Sequence, residues 1–142
     1  MSEFVYITDD TYSKKQVLRM EQLVLSALQF NLHTPTQLFF VNMLSKTAES
    51  DSETTFLAQY LSELTLMDAE SFLIYRSSDV ACAVVALARH TLHHEAWPEQ
   101  CARLAELTAE DFKEILIAVH GTFTNAPSLQ QQSIREKFKK AR

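Results

Sequence analysis

His90, His93 and His94 are the residues whose types and spacing come nearest to doing chemistry. His90 and His94 are four apart, so on a helix they would share a face, and two imidazoles so placed can hold zinc. Glu95 and Cys101 follow closely, yet the spacing assigns no third ligand. Imidazoles in the last turn of a helix also suit the negative end of its dipole. Asp9 and Asp10 are adjacent carboxylates, but acids just ahead of a helix are more often solvated caps than an acid–base pair. Asp68, Glu70, Glu110 and Asp111 fall at helix boundaries and read the same way. Cys82, paired in thought with His90, would be a thiol nucleophile. It lies in an apolar, alanine-rich run, where a buried and inert thiol is expected.

The remaining catalytic patterns are absent. Gly121 is the single glycine, so a glycine-rich phosphate loop cannot be built. No GxSxG, HExxH or paired CxxC occurs. The expectation is a chain without an active site, metal or cofactor, and therefore not an enzyme.

The elements that position these residues follow from composition and periodicity. Of 142 residues, 46% are hydrophobic and 22% charged, the balance of a globular domain. One glycine and three prolines leave few tight turns, so helices joined by short links are expected. A net charge of -5 argues against nucleic acid as a partner; only Lys137, Lys139, Lys140 and Arg142 form a basic cluster. No run of about 18 apolar residues suggests a membrane span. Met1 to Thr8 lacks the pattern of a signal peptide, so both cysteines are expected to be reduced and buried.

Ser2 to Thr8 is too short for periodicity to separate strand from helix. Ser13 and Gln16 form a capping box, and a helix is expected from Ser13 to Phe30 with Val17, Met20, Val24 and Ala27 on one face. Thr34 is the expected N-cap of the next helix, with Pro35 at its first position, running to Lys46. Ser50 and Glu53 suggest a second capping box, followed by Phe56, Leu57, Tyr60, Leu61, Leu64 and Met67 at helical spacing. Ser77, Ser78 and Asp79 are candidate caps for Val80 to Leu92. That segment is apolar nearly all round, which places it at the centre of a bundle. Trp97-Pro98 opens a short helix to Glu106. Thr108 is expected to cap a longer one ending near Thr124 to Pro127, and Ser128 to Lys139 forms a last, mostly polar helix. The fold class is all-α, about five helices around a central apolar one.

Residues 3–12, Glu-Phe-Val-Tyr-Ile-Thr-Asp-Asp-Thr-Tyr, and 14–21, Lys-Lys-Gln-Val-Leu-Arg-Met-Glu, resemble the end of the first cyclin box of A-type cyclins. Phe30-Asn31-Leu32 and Pro35-Thr36 resemble the junction into the second box. Leu61 to Leu64, Ala86 to Arg89, Trp97-Pro98 and Gln131 to Lys137 continue the likeness to nearly the end of the chain. The resemblance implies the cyclin-box fold, a five-helix bundle around the central helix: residues 1–33 as the last helices of a first box, and 34–142 as a second box. Where relatives often carry Leu-Pro-Ser ahead of the central helix, this chain has Arg76-Ser77-Ser78.

A cyclin is a regulatory subunit that binds and activates a cyclin-dependent serine/threonine kinase. A-type members drive S phase and G2/M progression, mainly in the nucleus and also in the cytoplasm. The resemblance carries Phe4 onto the aromatic residue that packs against the kinase αC helix, with Tyr6 and Ile7 on the same short helix. Thr11, Tyr12 and Lys15 match the start of the next helix, near that interface. The first three helices of the first box, with their kinase-binding lysine and glutamate and their docking patch for RxL motifs, have no counterpart here. The expectation is a truncated cyclin whose uncovered apolar helix face promotes self-association. The rival expectation, from another class, is a non-activating helical scaffold or protein-interaction domain.

Overall fold

The computed structural model describes residues 2–9 and 11–140. Asp10, half of the paired carboxylates considered above, and Arg142 of the basic cluster lie outside them. The chain divides into two compact units, Met1–Thr34 and Pro35–Arg142. The described residues form helices and turns, with no strand among them.

In the first unit, α1 (Ser2–Ile7) settles the open question of strand or helix. It stops because the Thr8 hydroxyl bonds back to the Val5 carbonyl (2.7 Å) and Asp9 turns left-handed at φ 51°. α2 spans Lys14–Ala27. Gln16 Oε1 accepts both the Ser13 backbone N–H and its hydroxyl, each at 2.8 Å, so the expected Ser13–Gln16 pairing forms. The helix ends three residues before the expected Phe30. Gln29 and Phe30 both adopt positive φ, and the Phe30 N–H reaches back to the Leu25 carbonyl (2.9 Å), a Schellman-type stop made without glycine.

The second unit is built on α6 (Ser77–Thr91), in which every residue from Val80 to Arg89 is buried. α3 (Gln37–Thr47), α4 (Ser52–Met67) and α8 (Lys113–Asn125) pack around it. Ala81, Ala83 and Ala88 are fully enclosed; their small side chains let three helices approach at once. Val80, Val84 and Val85 fill the gaps, each contributing about 1.5–3 kcal/mol by burial. A helix apolar all round at the centre is what its sequence requires.

Several caps differ from expectation, each because a neighbouring residue makes the better bond. Thr36, not Thr34, caps α3: its hydroxyl oxygen accepts the Phe39 N–H at 3.2 Å, leaving Pro35 before the cap. Asp51, not Ser50, caps α4 through the Thr54 N–H at 2.7 Å, because a carboxylate is the stronger acceptor. Arg76 holds the N-cap position of α6, and Ser77 and Ser78 begin the helix; Arg76 Nε pairs with Asp79 at 2.9 Å. The short α5 (Ala69–Phe72) is capped by Asp68.

α7 (Glu99–Ala105) follows Trp97-Pro98 and ends at Glu106, left-handed at φ 54°. The Trp97 indole N–H donates to the Leu107 carbonyl (2.9 Å) and its ring meets Phe112 edge-on, which closes the chain back on itself. The Thr108 N–H and hydroxyl both bond Asp111 Oδ2 (2.7 and 2.6 Å). This turn precedes α8 rather than belonging to it. A 3-10 turn (Ala126–Ser128) leads to α9 (Ser133–Lys140), which starts five residues later than expected. Phe138 of α9 packs on Phe56 and Tyr60 of α4, ring centroids 4.9 and 5.3 Å apart.

Candidate functional site

The six sequence-derived site residues all lie in Met1–Thr34. On α1, Phe4 is 62% exposed, Tyr6 79% and Ile7 77%. Phe4 and Ile7, three apart, share one face, and Tyr6 lies about 100° round the helix from Ile7. Within Glu3–Ile7 only Val5 is even half-buried. Thr11 and Tyr12 lie in the link to α2, and Lys15 stands in its first turn, all three exposed. Short hydrogen bonds fix the link: Asp9 N–H to Tyr6 O (2.9 Å) and Thr11 N–H to Thr8 O (3.0 Å).

α2 adds to this surface, since it buries no residue within its own unit. Met20, Leu23, Val24 and Leu28 are each about half exposed or more. An apolar, aromatic surface flanked by the exposed cations Lys14, Lys15 and Arg19 suits protein recognition, where aromatic anchors dominate.

The other groups singled out by chemistry come apart. α6 ends at Thr91, and His93 turns left-handed at φ 63°. His90 and His94 therefore do not share a helix face. His94 instead lies 3.4 Å from Asp51. Among the described residues, no group of three or more His, Cys, Asp and Glu is placed to hold a metal ion. Cys82 and Cys101 are both buried and free. Burial, with Asp79 nearby, pushes the Cys82 thiol up to about 12, and burial also raises Cys101. Neither is a thiolate near neutral pH. No described helix is long and apolar enough to cross a membrane.

Sequence reasoning missed Arg89, which is 8% exposed on the central helix. Its Nη1 donates to Ala48 O (3.0 Å) and Ser50 Oγ (2.9 Å), and its Nε to Glu95 O (2.8 Å). An arginine inside an otherwise apolar run was the available signal.

Two family models match: Cyclin, N-terminal domain over residues 1–33, and Cyclin, C-terminal domain over residues 35–142. The chain belongs to the cyclin family. The relatives of this cyclin chain bear out the A-type resemblance. It is similar to the G2/mitotic-specific cyclin-A of Patella vulgata, 46% identical over 142 residues (100% of this chain, 33% of the relative). It is 44% identical to the Cyclin-A2 of Homo sapiens over 143 residues (100% and 33%). It is 39% identical to the G2/mitotic-specific cyclin-A of Drosophila melanogaster over 138 residues (97% and 28%). The chain thus spans about a third of the length of the curated relatives it matches. The all-helical second unit, centred on α6, is the helical cyclin-box architecture.

Proposed function

We propose that this cyclin chain is part of a regulatory subunit that binds and activates a cyclin-dependent serine/threonine kinase, acting in S phase and G2/M, in the nucleus and also the cytoplasm. It does no chemistry itself: it favours the active kinase conformation by binding that conformation better than the inactive one. Phe4, Tyr6, Ile7, Thr11, Tyr12 and Lys15 form the kinase-facing surface.

The observation that carries this reading is the display of Phe4, Tyr6 and Ile7 on a helix of a single turn and a half, each more than half exposed. These residues fall in the stretch matched by the N-terminal cyclin domain. Large apolar side chains held outward on an ordered helix are the usual makings of an interface hot spot.

The test is histone H1 phosphorylation by a purified cyclin-dependent kinase with and without an excess of the chain, alongside a pull-down with the same kinase. Raised activity supports activation by this segment. Binding without activation points to the scaffold reading, in which the second unit braces a larger assembly. No binding at all sinks the kinase-facing surface.

A further inference from the structure

The second unit carries a cavity that the kinase reading does not use. It lies where α9 crosses α4 and the end of α6, has a volume of about 220 Å³, and is lined by Phe56, Leu57, Tyr60, Leu92 and Phe138. An apolar cavity of about 150 Å³ is enough to take a benzene ring. This one therefore suits a single phenylalanine or leucine side chain and is too small for most drug-sized ligands.

Charge decides what flanks that side chain. Arg135 and Lys139 stand among the lining residues, while Glu53 is the one acid of the lining and already has a partner of its own. Lys139 and Lys140 form no ion pair among the described residues, whereas Lys137 is bound to Glu63 of α4. Cations in the last turn of a helix complement its dipole, and that accounts for Lys139 and Lys140. It does not account for Arg135, which sits in the first turn, where a positive charge is unfavourable. Arg135 is held in place by the Gln132 side-chain oxygen at 2.8 Å and lies close enough to Tyr60 to act on its hydroxyl. Two cations, Arg135 and Lys139, beside an aromatic floor give this groove a local excess of positive charge in a chain of net charge -5.

We propose that this groove docks a partner protein's acidic segment bearing one bulky apolar anchor, phenylalanine or leucine, which seats in the cavity beside the packed Tyr60–Phe138 pair while its carboxylates meet Arg135 and Lys139. The site lies wholly within Pro35–Arg142 and is separate from the residues assigned to the kinase.

The experiment is nuclear magnetic resonance titration of the isotopically labelled full chain with three peptides. One has phenylalanine between two aspartate triplets, the second replaces phenylalanine by alanine, and the third replaces the aspartates by lysines. The expected result is saturable binding of the first peptide, with shifts centred on Leu57, Tyr60, Leu92 and Phe138. Affinity falls about tenfold without the anchor and falls again as salt rises. The lysine-flanked peptide does not bind. The variant Lys139→Glu weakens the first peptide about tenfold, with a small fall in melting temperature because the end of α9 loses a cation that complements its dipole; should that variant unfold, the peptide series on the unaltered chain decides the matter alone. The proposal is overturned by no saturation up to about 1 mM peptide, or by equal binding of the lysine-flanked peptide. Tighter binding of an oligothymidylate overturns it in favour of nucleic acid. Shifts that follow protein concentration but not peptide overturn it in favour of a second copy of the chain.

Discussion

Arg89 of the central helix binds the carbonyl oxygen of Ala48, the residue that ends α3, at 3.0 Å. The same nitrogen bonds Ser50 Oγ, and Nε bonds Glu95 O in the turn after α6. One guanidinium therefore joins the α3–α4 link to the far end of the core helix. It has neutral acceptors rather than a carboxylate partner, so its burial is tolerated only because several donors are used. Its presence explains how a helix apolar all round keeps the loops at its C-terminal end in a fixed arrangement.

Arg89→Met is expected to cost about 2–4 kcal/mol in urea unfolding, because the Ala48 carbonyl loses its donor while still shielded from water. Arg89→Lys recovers less than half of this, since an ammonium cannot span the same acceptors. Wild-type stability in Arg89→Met would refute the role.

Asp51 predicts an acid limb in the stability curve. The Thr54 N–H bond holds its carboxyl below the ordinary aspartate value, with the neighbouring His94 assisting. A depressed folded-state value means the unfolded chain takes up protons first as pH falls. The stabilisation is thus present above about pH 4 and is lost as pH drops through the folded value. Melting temperatures from pH 2.5 to 6 should fall less steeply in Asp51→Asn than in the parent; parallel curves would show that this cap does not contribute.

Thiol chemistry offers a test of the core. With Cys82 pushed up to about 12 and Cys101 also raised by burial, neither should react with a disulfide reagent at pH 8 in the folded state. Both should react in urea, at a rate that follows global unfolding. Fast labelling of either cysteine in native buffer would place that part of α6 or α7 outside the cooperative core.

Phe4→Ala should weaken kinase binding by about 1–2 kcal/mol, measured by calorimetry. The melting temperature should not change, since Phe4 is already 62% exposed. Equal binding of Phe4→Ala and the parent would remove Phe4 from the interface.

What could be read from the sequence depended on the range of the interaction. The centrality of α6 was legible because ten consecutive residues from Val80 leave no polar stripe. Cap identities were not, because Thr34 or Thr36 and Ser50 or Asp51 differ only in which side chain reaches its N–H. The His90–His94 pairing failed for a similar reason: the helix stops at Thr91 and His93 turns left-handed, a conformation histidine favours more than most residues but whose position no local pattern marks. The exposure of Phe4, Tyr6 and Ile7 could not be read from periodicity at all. The aromatic meeting of Phe138 with Phe56 and Tyr60 joins residues more than seventy apart in the chain, beyond the reach of any local pattern.

Asp9, Gln29, Phe30, Glu49, His93 and Glu106 all adopt a left-handed backbone, and none of them is glycine. The chain's single glycine, Gly121, lies inside α8, where no such corner exists. Each of these six side chains carries a conformational strain that a hydrogen atom in its place would relieve, on the order of 0.5–1 kcal/mol. Thermal resistance in this molecule therefore has untapped headroom at its helix ends, open to single-codon changes that leave the packed interior untouched.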